Sequence, residues 1–347
     1  MSLETFGRHA TIPVFVPHAA CPNQCVFCNQ KKIAGAELPF DSVKDFLKDA
    51  VEGLSSRFAG CDIAFFGGSF TGIGKDKMIA YLKEAHRYLG QGVTGIRLST
   101  RPDYISDEIL DILEEYGVTD IELGVQSLND EVLKASKRGH TVEQTLNAVD
   151  LIKKRSFRLV LQLMPGLPGD TKETISSTFR TAAELNPDGV RIYPTVVIAD
   201  TELESLYLQG QYVPLSVDEA VEYSAEAVKL FSTKNINILR IGLHSSDLSH
   251  NSGVVGGPYH PAFGELVMQR ICLDEARKIF TELNPQKGDT YVIRTGRGGI
   301  SRMTGQKRAN ILALKEEFSV KIAVAEDPDR DIKDEPCGKP VLEIVKR

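Results

Sequence analysis

Short apolar runs, rich in β-branched residues, recur along the chain. They centre on IPVFV (12–16), DIAFF (62–66), GIRLS (95–99), DIELGV (120–125), RLVLQLM (158–164), GVRIY (189–193) and NILRIG (237–242). Between them the apolar positions take a helical period. DSVKDFLKDAVEGL, KDKMIAYLKEAHRYL, SDEILDILEEYG, TVEQTLNAVDLIKKR, TKETISSTFRTAAEL and SVDEAVEYSAEAVKLF read as amphipathic helices. Several open with Ser, Thr or Asp followed three residues later by an acid, which satisfies the free N–H groups of a first turn. Strands alternating with helices predict repeated βα units and a parallel sheet. The runs read as apolar on both faces, so helices must cover the sheet or close it into a barrel. The pattern alone does not choose between these.

The pattern breaks between about 243 and 262, where HSSDLSHNSGVVGGPYHPAFG reads as a long ordered loop. Loops of that length in compact domains are often functional. A helix is predicted from Phe263 to about Phe280, then a linker, NPQKG, at 284–288. The last sixty or so residues read strand (TYVIRTG), helix (ISRMTGQKRANILALKEEF), strand (SVKIAVAE), acidic turn and strand (PVLEIVKR). The expected organisation is a core over residues 1–283 and a small α+β domain over 284–347.

With 347 residues, 42 % of them hydrophobic and 25 % charged, the chain has the balance of a globular enzyme or large binding protein. No uncharged apolar run approaches the ~20 residues of a membrane span. The amino terminus has no basic segment followed by a long apolar one, so no secretory signal is read. The net charge of −6 argues against wholesale binding to nucleic acid and leaves room for a local basic patch. Lys287, Arg294, Arg297, Arg302, Lys307 and Arg308 make such a patch, with Asp289 as sparse acidic company.

Six cysteines fall at 21, 25, 28, 61, 272 and 337. Three crowd into eight residues, which suits a metal site in a reducing cytoplasm rather than a disulfide framework. In CPNQCVFCNQ the spacing of Cys21, Cys25 and Cys28 is C-x3-C-x2-C, directly after the first strand. Three soft thiolates on one loop suit an iron–sulfur cluster or zinc. A structural zinc wants four ligands, and His18 is available as the fourth. A cluster with three protein ligands keeps one iron open to a small molecule.

The loop, written C-x3-C-x-Phe-C with Phe27 before the last cysteine, resembles the signature of the radical S-adenosylmethionine (SAM) superfamily. Further segments match in order: FFGGSFTG (65–72), STRPDYI (99–105), ELGVQS (122–127), KRGHT (137–141), MPGLPGDT (164–171) and RIYPTVVIADTEL (191–203). Together they look most like the radical-SAM core of the Elongator catalytic subunit and its shorter bacterial relatives, over about residues 10 to 280. The cysteine spacing is shorter than Elongator's. The tail is too short for Elongator's acetyltransferase domain, so its carboxymethylation chemistry is not carried over.

The resemblance implies a partial (β/α) TIM-like barrel with a small C-terminal α+β domain. It implies a [4Fe–4S] cluster on Cys21, Cys25 and Cys28 that chelates SAM, one-electron cleavage of SAM to a 5′-deoxyadenosyl radical, and a reduced flavodoxin or ferredoxin as electron donor. Gly67 and Gly68 are expected to let backbone approach SAM, with Ser69 adding a hydroxyl. A plain strand-to-helix turn also favours Gly-Gly-Ser. Ser99 and Arg101 follow the third strand. Arg101 suits the SAM carboxylate as a bidentate fork, or else a salt bridge with Asp103 or Asp107. Gln126 and Gln162 need polar partners if buried, and the SAM ribose supplies them. Arg191 is expected to be paired. Tyr193 and Val197 are candidates to flank adenine or to join the core. Arg138 and His140 read as surface charges or as phosphate or substrate contacts. His244 and His260 lie near the expected mouth. The substrate implied is RNA, tRNA or rRNA, in the cytoplasm. The alternatives are a small metabolite or tetrapyrrole, or a non-catalytic zinc-bound RNA-binding protein.

Overall fold

The computed structural model describes residues 8–16, 25–29, 40–54, 58–243, 253–327 and 342–346. Its strands are β1 (Arg8–Val16), β2 (Phe58–Gly67), β3 (Val93–Thr100), β4 (Val118–Gln126), β5 (Arg158–Leu163), β6 (Gly189–Ile192), β7 (Val197–Ile198), β8 (Asn237–Ile241), β9 (Val254–Gly256), β10 (Thr290–Thr295), β11 (Lys321–Glu326) and β12 (Leu342–Lys346). Its helices are α1 (Phe40–Glu52), α2 (Lys75–His86), α3 (Asp107–Glu115), α4 (Asp130–Ala135), α5 (Val142–Lys153), α6 (Lys172–Glu184), α7 (Glu202–Leu208), α8 (Val217–Thr233), α9 (Phe263–Leu283), α10 (Ile300–Thr304) and α11 (Ala309–Phe318). The helix-start chemistry is in place. Thr141 with Gln144, Thr171 with Thr174 and Ser216 with Glu219 each close a reciprocal capping box.

Seven strands form one parallel sheet in the order β1-β2-β3-β4-β5-β6-β8. Spatial order follows chain order, and parallel crossovers are right-handed, so successive helices pack on the same face. A twisted sheet covered on one side only curls, and here it forms a partial barrel. Ile63, Phe65, Ile96, Leu98, Ile121, Leu123, Leu159, Leu161, Val190 and Ile192 alternate along the strands into the shared core with the helices.

The opposite face corrects the expectation of strands apolar on both sides. Arg97, Asp120, Glu122, Arg158, Gln162 and Arg191 occupy the alternate positions, because side chains on a strand point to opposite faces in turn. All but Gln162 join a ladder of ion pairs. Glu122 takes Arg97 at 2.5 Å and Arg191 at 2.9 Å, and Asp120 takes Arg158 at 2.8 Å.

Two other expectations change. Part of the 243–262 loop is a strand, β9, paired antiparallel with β7. The single tail helix is two. The chain breaks at Gly305 (φ 75°), Lys307 (φ 51°) and Arg308 (φ 65°). Asn310 seats that break by donating to the carbonyls of Gln269 and Arg302. The tail forms a three-stranded sheet, β11-β10-β12. Its core of Tyr291, Ile293, Met303, Ile311 and Leu314 is completed by Cys272, Ala276 and Phe280 from α9. A chain cut at 284 would therefore bare an apolar stripe of α9.

Candidate active site

β1 to β6 end at Val16, Gly67, Thr100, Gln126, Leu163 and Ile192. The cysteine loop follows the end of β1, and α/β enzymes gather their chemistry at these carboxyl ends. Cys25 is 7 % exposed and, like Cys28, is in no disulfide. A tight turn joins them, with the Cys28 N–H donating to the Cys25 carbonyl at 3.0 Å. Cys21 and His18 lie outside the described residues, as do His244 and Cys337.

Two distant segments brace the loop. Val26 donates to the Ser136 carbonyl (3.2 Å) and accepts from the Leu203 N–H (2.7 Å). Asn29 donates to the Asp200 carbonyl at 3.2 Å. Phe27 packs beside Val26, Val197, Leu203 and Tyr212, which places Val197 in a core cluster. The KRGHT and RIYPTVVIADTEL motifs thus meet the cysteine motif in space.

Arg138 and His140 are not on the surface. Lys137 (φ 51°) and Gly139 (φ 78°) turn the chain after α4, and Arg138 lies between them, 8 % exposed. Its Nη2 donates to the Gly124 carbonyl at 2.7 Å and its Nη1 to the Cys25 Sγ at 3.4 Å. A Cβ at Gly124 would stand 2.8 Å from that guanidinium and 3.1 Å from the Gln126 amide, so a side chain there would push both groups from their present places.

His140 is 4 % exposed, and neither ring nitrogen has a hydrogen-bond partner among the described residues. Burial, then the cations of Arg138 and Arg101, pull its pKa down to about 3; Asp103 and the Val125 backbone oppose this only weakly. Below the ordinary value of 6.5 the unfolded chain binds this proton and the folded chain does not, until about pH 3. Stability is therefore complete above 6.5 and falls on acidification across that window, by up to about 1.4 kcal/mol per pH unit. Thermal midpoints between pH 4 and 7 are expected to fall less steeply in His140→Gln than in the wild type. Equal slopes would refute a neutral buried imidazole.

The remaining sequence candidates divide into two groups. Gly67 sits at φ 109°, a conformation that favours glycine, and Gly68 follows it. Ser69 is engaged with Thr100 (2.8 Å) and the Arg101 N–H (3.2 Å). Arg101 grips Asp103 through two 2.9 Å bonds, which is the salt-bridge alternative, although the side chain is only 3 % exposed. Arg191 pairs with Glu122 and donates to the Tyr193 hydroxyl at 3.3 Å; burial pushes that phenol's pKa up. His260 accepts from the Ala262 N–H at 3.0 Å, where α9 begins.

Gln126 differs from these. It holds φ 68°, strained for a residue with a Cβ, and its Oε1 is buried without a partner among the described residues. Ser99 and Gln162 are half-buried, Ser99 near the end of β3 and Gln162 opposite Arg191 in register. Sequence reasoning missed Glu122. Its signal was an acid inside an apolar strand two residues from Asp120.

Two family models match successive parts of the chain: the radical SAM superfamily over residues 15–182 and the radical SAM C-terminal domain over 187–272. The chain belongs to the radical SAM superfamily. Members of this enzyme family bind a [4Fe–4S] cluster and SAM, and these are this radical SAM chain's cofactors. A tRNA uridine(34) acetyltransferase of Methanocaldococcus infernus is 41 % identical over 128 residues, 36 % of this chain and 24 % of that protein. Human Elongator complex protein 3 is 36 % identical over 153 residues, 42 % of this chain and 28 % of that protein. The radical SAM chain thus spans about a quarter of the length of these relatives. The archaeal Elp3 structure from M. infernus shares the fold, with a TM-score of 0.58 at 22 % identity over 81 % of this chain and 65 % of that one.

The side chains present fit the cofactors. Two thiols share one turn, and a buried guanidinium faces one of them. Beside them lie buried polar atoms with no hydrogen-bond partner among the described residues, on Gln126 and His140. Such atoms are rare unless something else satisfies them.

Proposed function

We propose that this radical SAM enzyme modifies RNA, with tRNA as its substrate class. The observation that carries the catalytic half is the convergence at the strand ends of Cys25, Arg138, Gly124 and the Gln126 amide oxygen, which has no partner among the described residues. Cys21, Cys25 and Cys28 would hold the cluster. When bound, cluster and SAM supply a 5′-deoxyadenosyl radical to abstract hydrogen from substrate. Gln126 would offer its amide to the SAM hydroxyls. Gly67 and Gly68 would admit the cofactor close to backbone. Ser69 and Arg101, both engaged within the protein, would shape that wall rather than contact SAM through free groups. Ser99, Gln162 and Arg191 would line the polar side of the barrel.

The RNA half draws on the relatives that act on tRNA uridine and on the tail's charge. Folding narrows that basic patch. Arg294 pairs with Glu343 and Arg302 with Glu265, leaving Lys287, Arg297, Lys307 and Arg308 exposed and without ion pairs among the described residues. Exposed, unpaired cations of this kind suit contact with a phosphate backbone. No helix of the described residues is long and apolar enough to cross a membrane.

Under anaerobic conditions with dithionite and SAM, the reconstituted chain should release 5′-deoxyadenosine and methionine. Nucleoside mass spectrometry of tRNA from cells with and without the gene should then show one modified nucleoside that depends on it. Intact SAM beside a fully reduced cluster would overturn the catalytic half. An unchanged nucleoside profile would overturn the choice of RNA.

A further inference from the structure

A buried charge needs a counter-charge. Arg138 is 8 % exposed, and no carboxylate pairs with it among the described residues. Asp103, a carboxylate that acts with Arg138 on the neighbouring His140, is already gripped by Arg101 through two bonds. Stranding a guanidinium in this way is costly in a protein interior. What Arg138 does face is sulfur: Nη1 donates to Cys25 Sγ at 3.4 Å, while Nη2 is fixed by the Gly124 carbonyl. Its Nε is also buried and has no partner among the described residues. The anion that balances Arg138 is therefore the thiolate of the cysteine loop together with whatever that thiolate binds.

We propose that Arg138 is a positioning residue that raises the reduction potential of the cluster through a charge-assisted N–H···S hydrogen bond to Cys25. The couple concerned is the one-electron reduction of [4Fe–4S]2+ to [4Fe–4S]+. The electron comes from an external donor such as dithionite, and no bond or proton changes hands. Reduction adds one negative charge to a site with little water. A fixed cation hydrogen-bonded to a ligand sulfur stabilises the reduced state more than the oxidised one. The fork geometry matters as well. The planar guanidinium spans β4 and the cysteine loop at once, so the donor aimed at sulfur cannot rotate away.

This rests on the cluster reading of the site. Zinc without sulfide in the wild type would defeat that reading, whereas a loaded cluster at an unmoved potential defeats this proposal alone. The test is an EPR-monitored redox titration of the anaerobically reconstituted full chain. Wild type is compared with Arg138→Gln and Arg138→Lys, and iron and sulfide are counted in each. Arg138→Gln removes the charge. At the wild-type midpoint its ratio of reduced to oxidised cluster is expected to fall about tenfold, a shift of about 59 mV to lower potential. Arg138→Lys keeps the charge and loses the fork, so its ratio should fall about threefold, between the wild type and the Gln variant. A fully loaded Gln variant at the wild-type midpoint overturns the proposal. If the Gln variant holds no cluster, the Lys variant decides. A loaded Lys variant whose ratio has fallen by about threefold or more supports the proposal, and one at the wild-type midpoint refutes it. Loss of the cluster from both variants also overturns it, because the fork would then be holding the loop rather than tuning its potential.

Discussion

Cys25→Ala is expected to yield a folded protein that holds no iron–sulfur cluster. The wild type, reconstituted anaerobically, should hold about four irons and four sulfides. Cys25 is the most buried of the described thiols in its loop and the one that Arg138 faces. Two remaining thiolates cannot close a site built for three. The fold should survive, because the loop is held by backbone rather than by the thiol: Val26 bonds both Ser136 and Leu203. Circular dichroism would confirm the fold while iron and sulfide analysis reads the loss. Stoichiometric zinc without sulfide in the wild type, or a full cluster in the variant, would sink the assignment.

Glu122→Ala should be the most destabilising single change on the polar face of the barrel. Glu122 has a side chain 4 % exposed and lies between Arg97 (2.5 Å) and Arg191 (2.9 Å), each 15 % exposed. Removing it leaves two nearby guanidinium groups without their shared counter-ion. Breaking a buried pair from one side costs about 3–5 kcal/mol, most of it the penalty of the stranded partner. Arg97 keeps only a 3.8 Å approach to Asp62, and that carboxylate is shared with His9 at 2.9 Å. Glu122→Gln retains acceptor and shape and should lose less. Chemical denaturation of both variants measures the difference. A loss below about 1 kcal/mol for the alanine variant would show that solvent screens the network, as it does for surface pairs.

Particular residues show what was legible in the sequence. The capping box at Ser216 could be read because helix starts are local chemistry, complete within four residues. The βα alternation and the parallel sheet could be read for the same reason: a strand covered by helices must carry apolar residues somewhere. The period was misjudged where Arg97, Glu122 and Arg191 interrupt the runs. Arg191 alone stood out as a charge in its strand, while the pairing that makes all three compatible with burial lies across strands. The tail helix was read as continuous because GQKR carries no proline. The break at Gly305 depends on Asn310 reaching Gln269 on another helix.

The sequence by itself determined the family, the cysteine loop and the order of the elements, because a motif's spacing and a strand's apolar run are properties of neighbouring residues. Only the tertiary structure decided the roles of Arg101 and Arg138. As letters they were two similar cations, each near an acid or a histidine. Folding gave Arg101 the Asp103 carboxylate. It carried Arg138, across 113 positions of sequence, to the sulfur of Cys25. A charged side chain acts through the group that balances it, and at that separation the partner is chosen by how the strands pack, which no local pattern records.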